Sequence, residues 1–302
     1  MRAEFAEAMT TLFAERSDLV FLTVDLGYQA LEGVARTFGD RFLNVGIAEQ
    51  NAVSVAAGLA RQGLLPWVYS MAAFTVLRPY AQIRDNVCLH RLPVKLVGNG
   101  GGYGYGIMGA THHALEDVAA IRALPHIKIY VPTVRTDVLS VVRSMASDPA
   151  PNYLRLNLAA EIPGEVPPFA PWRKLKSGRS CVVVAMGPVV QGLYELEAPG
   201  LFDELEIWSA GLFPLEPLPA ELEASIRRTG RVVTLEEHYG AGGLGEALAQ
   251  RLLATSVLPA SYRSLYAGGY PSGRYGSQRW HQLENGLAGP SLRSSLEQIV
   301  GG

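Results

Sequence analysis

Cysteine is nearly absent: only Cys88 and Cys181 occur in 302 residues. They lie far apart, with no His or Cys nearby at metal-ligand spacing, which excludes a disulfide framework and a zinc site. Two buried thiols are the simpler reading. Charge of one sign is missing too. The 26 basic and 28 acidic residues leave a formal net charge of -2 and are scattered, so no run suits nucleic acid or an anionic membrane. No apolar stretch is long enough to span a bilayer, and the opening MRAEFAEAMTTLFAERSDLV is amphipathic rather than signal-like. The expectation is a cytoplasmic protein with no nucleic-acid or membrane partner. With 48% hydrophobic residues the chain has material for a large core and, at this length, for two domains.

Residues 1–158 alternate short β-rich runs with helical patterns. Helices are expected near 3–15, 48–61, 73–88, 115–123 and 135–146. Strands are expected at 19–24, 65–69, 94–98, 127–131 and 153–157. Such alternation predicts a doubly wound parallel α/β sheet. Between 159 and 178 prolines at 163, 167, 168 and 171 interrupt the pattern and mark a linker. From 179 to 302 four apolar runs, SCVVVAMG, LEIWSAG, RVVTLEEH and SYRSLYAG, with helical stretches such as 241–253, predict a second, smaller α/β domain.

Three segments carry candidate chemistry. NVGIAEQNAVSVAAGLARQG at 44–63 sets one acid, Glu49, in the first turn of a small apolar helix. Either the helix dipole favours it there or it has a chemical task. Phe74, Leu77 and Tyr80 recur at spacing three and predict one helix face, which packs into a core or offers a stacking surface to a flat ring. NGGGYGYGIMGATHHALEDVAAIRALP at 99–125 puts six glycines between a strand end and a helix, allowing close backbone approach to a ligand. Thr111 is expected to cap that helix, leaving His112 and His113 at the mouth of a cleft, as bystanders or as functional imidazoles.

In order and spacing these segments resemble the pyrimidine-binding domain of the transketolase family, with GIAEQN at 46–51 and THHALEDVAAIRALP at 111–125 as the most specific pieces. VVTLEEHYGAGGLGEAL at 232–248 is similar to the family's C-terminal domain, so the resemblance spans nearly the whole chain. It implies thiamine diphosphate as cofactor. The glutamate matching Glu49 hydrogen-bonds N1′ of the aminopyrimidine and promotes its imino tautomer, and small apolar neighbours suit a carboxyl that must share a proton. Phe74, Leu77 and Tyr80 match positions that pack on the pyrimidine. Asp25 and Leu26 fall at an Asp-Leu pair near the thiazolium, and His112 at a histidine contacting the donor's hydroxyl or reacting oxygen.

The family's Gly-Asp-Gly element, which with a later Asn holds Mg2+ (or Ca2+) and the diphosphate, is absent. The resemblance is therefore to the second, C-terminal subunit of a split transketolase, active only with an N-terminal subunit that carries the metal and diphosphate, in an α2β2 heterotetramer. Of the residues that hold an acceptor phosphate in common transketolases, Arg2 and Arg155 match the arginines, Gln29 replaces the serine and Gly100 the histidine. Met108 replaces an aspartate that contacts substrate hydroxyls. Loss of these polar groups points to transfer of a two-carbon unit to or from a non-standard sugar, unphosphorylated or nucleotide-linked. Two other readings stay open: the beta chain of a decarboxylating 2-oxoacid enzyme, and a non-catalytic assembly subunit. The Gly- and aromatic-rich tail at 268–287 reads as a surface loop docked on its neighbour, with Arg274 or His281 available to a substrate channel or subunit contact.

Overall fold

The structure is a computed structural model that describes residues 1–27 and 30–301. Its strands are β1 (Leu19–Thr23), β2 (Phe42–Asn44), β3 (Leu65–Met71), β4 (Lys95–Asn99), β5 (Lys128–Tyr130) and β6 (Asn152–Leu156), followed by β7 (Trp172–Lys176), β8 (Cys181–Met186), β9 (Leu205–Ala210), β10 (Leu212–Phe213), β11 (Arg231–Glu236) and β12 (Ser261–Tyr266). They form a seven-stranded sheet in the order β10-β5-β6-β4-β3-β1-β2 and a five-stranded sheet in the order β12-β11-β8-β9-β7. In the first sheet every pairing is parallel except β10 on β5. In the second only β7, on β9, is antiparallel. The fold is therefore α/β with two sheets, as the alternating pattern predicts.

The inner strands β1, β4 and β6 are buried along nearly their whole length, as parallel strands covered on both faces are, with Lys95, Asn152 and Arg155 as buried polar members. One face of the first sheet is closed by helices Arg2–Glu15 and Asp137–Ser147, whose Phe5, Met9, Val138 and Val142 meet Phe21, Trp67 and Leu154. The other face takes helix Glu49–Arg61. Its Ala52, Val53, Ala56, Ala57 and Ala60 share one side at helical spacing, and their small size brings the helix close to the strands. This second core runs on without a break into Val182, Val184, Trp208 and Val232 of the smaller sheet.

The structure departs from the sequence expectations at four places. Helix Glu32–Phe38, edge strand β2 and the two-residue β10 are additional to the expected elements. The stretch 159–178 is no pure linker, because β7 lies inside it and completes the second sheet. The helix expected at 73–88 is broken. It runs Ala72–Val76, is interrupted around Pro79, which lacks an N–H and disfavours helical backbone before it, and resumes as Tyr80–Gln82 and the wider π-helical turns Ile83–Cys88. Finally, Thr111 caps no helix, since the next one begins at Asp117 with Glu116 at its N-cap.

Candidate cofactor and substrate site

Because β1 to β4 run parallel, the loops leaving their carboxyl ends gather at one edge of the sheet. That is where open α/β sheets bind ligands. The turn after β1 holds Asp25, which adopts a left-handed backbone at φ 57. Asn44, the last residue of β2, steadies it. Its Oδ1 accepts from the backbone N–H groups of Asp25 and Gly46, at 2.9 and 3.1 Å, and its Nδ2 donates to Asp25 Oδ1 at 3.2 Å. Thr23 Oγ1 donates to the Leu26 carbonyl at 2.7 Å, and Leu26 packs half-buried on the core. The Asp25–Leu26 turn is thereby tied to the strand that leads to Glu49.

Glu49 opens helix Glu49–Arg61 and is 6% exposed. Its carboxylate is not bare. Arg78 Nη1 donates to both oxygens, at 3.0 and 3.1 Å. The Arg78 guanidinium lies flat enough over Phe74 to place Cζ 3.9 Å from the ring centroid, and Phe74 meets the His112 ring edge-on at 5.3 Å. A continuous chain of contacts thus joins Glu49, Arg78, Phe74 and His112. The break at Pro79 sends the three expected aromatic-face residues different ways. Phe74 is half-buried beside His112, Tyr80 packs on the core, and Leu77 is 39% exposed.

The glycine-rich loop after β4 presents His112, whose Nδ1 shares a hydrogen bond with Thr111 Oγ1 at 2.9 Å. His113 points the other way and is buried. Its Nε2 sits 2.8 Å from the Gly106 carbonyl, so it must carry the proton, and Nδ1 then accepts from Tyr270 Oη at 2.9 Å. Burial pushes its pKa down to about 4, which keeps it neutral. Of the adjacent histidines only His112 is partly exposed.

Tail residues 268–287 hold this loop from outside. Tyr103 Oη donates to the Gly269 carbonyl at 2.6 Å, its ring stacks on buried His281 at 4.6 Å, and its N–H donates to Glu237 Oε1 at 2.6 Å. Gln278 and Gln282 donate to the same Glu237 carboxylate. Gly106 adopts φ +49, and a Cβ there would meet the backbone of Gly276 and Gln278 at 3.0 to 3.2 Å. The tail docks as expected. His281 is spent on packing, and Arg274 is exposed.

Among the proposed substrate residues, Arg2 is exposed at the start of its helix. Met108 is exposed on the loop. Arg155 needs correcting. It is 2% exposed, its Nε bonds Asp117 at 2.9 and 3.1 Å, and its Nη2 donates to the Ala114 and Glu237 carbonyls. A guanidinium committed to a buried ion pair between the sheets does not reach a substrate phosphate. Gln29 lies outside the described residues. A Cβ at Gly100 would come within 2.4 Å of the Tyr105 ring, so that ring fills the space of a side chain at position 100. Tyr105 Oη accepts from Asn99 Nδ2 at 2.9 Å.

Sequence reasoning missed Arg78, Asn44 and Tyr105. Asn44 carried a signal, since an Asn at a strand end two residues before a Gly is a common turn former. Among the described residues no group of three or more His, Cys, Asp and Glu side chains could hold a metal, and no helix is long and apolar enough to cross a membrane.

Glu49, Phe74 and His112 lie together at the carboxyl edge of a parallel sheet in a protein of the doubly wound α/β class. Residues 1–159 match the pyrimidine binding domain of transketolase. One of the subunits of the apulose-4-phosphate transketolase of Phocaeicola vulgatus is 32% identical over 266 residues, which is 85% of this chain and 84% of that one. The 1-deoxy-D-xylulose-5-phosphate synthase of Heliobacterium modesticaldum is 33% identical over 258 residues, 82% of this chain and 39% of that one. A solved structure described as a split gene transketolase, inactive beta4 tetramer, is 30% identical with a TM-score of 0.84, over 99% of this chain and 98% of that one. The chain belongs to the transketolase family, and it corresponds to the C-terminal subunit of a split transketolase.

Proposed function

We propose that this chain acts with a second subunit in thiamine-diphosphate-dependent transfer of a two-carbon ketol unit, with a non-standard sugar as donor or acceptor. Residues 1–158 would form the pyrimidine-binding domain and 179–302 the C-terminal domain, joined through 159–178. The observation that carries the reading is the buried Glu49 carboxylate, which already holds a planar N–H cation stacked on Phe74. A site that accepts a flat nitrogenous cation between a carboxylate and a ring fits an aminopyrimidine. Thiamine diphosphate, when bound, supplies a carbon nucleophile and an electron sink. Its Mg2+ and diphosphate would be held by the partner subunit.

In this reading Glu49 shares a proton with the ring nitrogen it faces, at the positive end of its helix. Phe74 orients the pyrimidine by stacking, while Tyr80 and Leu77, turned other ways by the break at Pro79, do not share that face. Asp25 and Leu26 border the thiazolium on the turn that Asn44 steadies. His112 holds or moves a proton at the reacting sugar oxygen. Arg2 and Met108 border the acceptor, with Tyr105 where common transketolases keep a histidine. Arg155 drops out of the substrate set.

The test is an assay of the co-purified complex against a panel of ketose donors and aldehyde acceptors, apulose 4-phosphate among them because one relative is named for it. Selective turnover of an unusual sugar is the expected result. Full activity on xylulose 5-phosphate with ribose 5-phosphate would sink the substrate claim. The kinship with a deoxyxylulose phosphate synthase keeps a decarboxylating reaction as second reading, and carbon dioxide release from pyruvate by the same complex would favour it.

A further inference from the structure

Arg78 stands where the proposed function seats the cofactor's pyrimidine. Its guanidinium makes the two contacts a pyrimidine would need there, N–H donation to Glu49 at 3.0 and 3.1 Å and stacking on Phe74 at 3.9 Å. One carboxylate edge cannot serve both claimants. The chemistry differs as well. A guanidinium stays charged and has no nitrogen that can take up and return a proton at neutral pH, whereas a ring nitrogen in that seat can share one.

The arginine is also placed to leave. Its side chain is 47% exposed, while its backbone is fixed by Pro79 and by Gln50, whose Nε2 donates to the Arg78 carbonyl at 3.2 Å. The side chain can therefore swing out while the backbone stays put. An ion pair exposed on its Arg78 side, plus one ring contact, is a weak lock, which a flat ring anchored elsewhere by its diphosphate can open.

We propose that Arg78 is the resident of the pyrimidine seat in the cofactor-free chain and that a planar nitrogen heterocycle must displace it before Glu49 can act. The inference rests on the cofactor reading given above. It assigns Arg78 a role as competitor and leaves the roles of Glu49 and His112 as they stand.

The experiment is calorimetric titration of thiamine diphosphate with Mg2+ into the complex of this chain and its diphosphate-holding partner. Wild type, Arg78→Leu and Arg78→Lys are compared, with thermal melting and gel filtration as checks on folding and assembly. The leucine variant is expected to bind roughly five- to tenfold more tightly, since both competing contacts are gone. The lysine variant, which keeps the charge without the planar stack, should gain about twofold. Equal or weaker binding by the leucine variant overturns the proposal and makes Arg78 a cofactor contact instead. Should that variant fail to assemble, the lysine variant decides by the same sign. Complexes that assemble but bind no cofactor in any variant overturn the cofactor reading, and the Arg78 proposal falls with it.

Discussion

At the scale of single residues, Glu49 bears the heaviest demand. Replacement by Gln keeps the shape and the acceptor oxygen but removes the shared proton. Glu49→Gln should lower turnover of the complex by about 10²–10³-fold, within the range of general acid–base groups. The ion pair lost with Arg78 is half-exposed and contributes less than about 1 kcal/mol to stability. Gel filtration should therefore show an intact complex, and unchanged turnover would point to a non-catalytic assembly subunit. His113 provides a second test. Its folded pKa of about 4 lies below the usual 6.5, so its stabilising contribution is complete above pH 6.5 and is lost as pH falls toward 4, where the unfolded chain takes the proton first. The contribution lost is roughly 1–3 kcal/mol. His113→Asn removes this linkage, so the gap between wild-type and variant melting temperatures should narrow from pH 6.5 to 4. A gap independent of pH would show that His113 gains its proton equally in both states.

At the scale of elements, legibility followed burial. Inner strands such as Leu19–Thr23 and Cys181–Met186 announced themselves because parallel strands covered on both faces leave few polar side chains. Edge pieces did not. β2 has three residues and β10 two, and β7 sits among lysines after a run of prolines. Glu49 and His112 drew notice in the sequence as an acid opening a small apolar helix and an imidazole following a glycine-rich loop. Arg78 did not, because its partner is chosen by how Pro79 breaks the helix and turns a long flexible side chain inward. Arg155 was misread for the converse reason. Its place on β6 matched a ligand arginine, but nothing local foretold that Asp117, 38 residues away, would claim it. His113 shows the same limit, since its acceptor and donor come from Gly106 and from Tyr270 in the far tail.

At the scale of the whole molecule, the cleft is built by both halves of the chain. The glycine-rich loop that offers His112 is gripped by Tyr270, His281 and Glu237, and the Arg155–Asp117 pair reaches across to the Glu237 carbonyl. The proposed substrate residues on that loop would therefore be supported by residues more than a hundred positions downstream. Changes in the tail should alter KM and kcat together, because the tail holds the loop that presents His112.

The two-residue strand β10 gives this a practical edge. Leu212 and Phe213 zip against Tyr130 and Ile129 and close the open side of the larger sheet with a piece of the later chain. Cutting at residue 158 would strip that cover, bare the backbone of β5 to any passing strand, and leave the Arg155 guanidinium short of one acceptor. A 1–158 fragment should come out of cells mostly as inclusion bodies, and adding residues 159–302 in trans should return it to the soluble fraction. If 1–158 is soluble and monomeric alone, the edge needs no chaperoning by the second half.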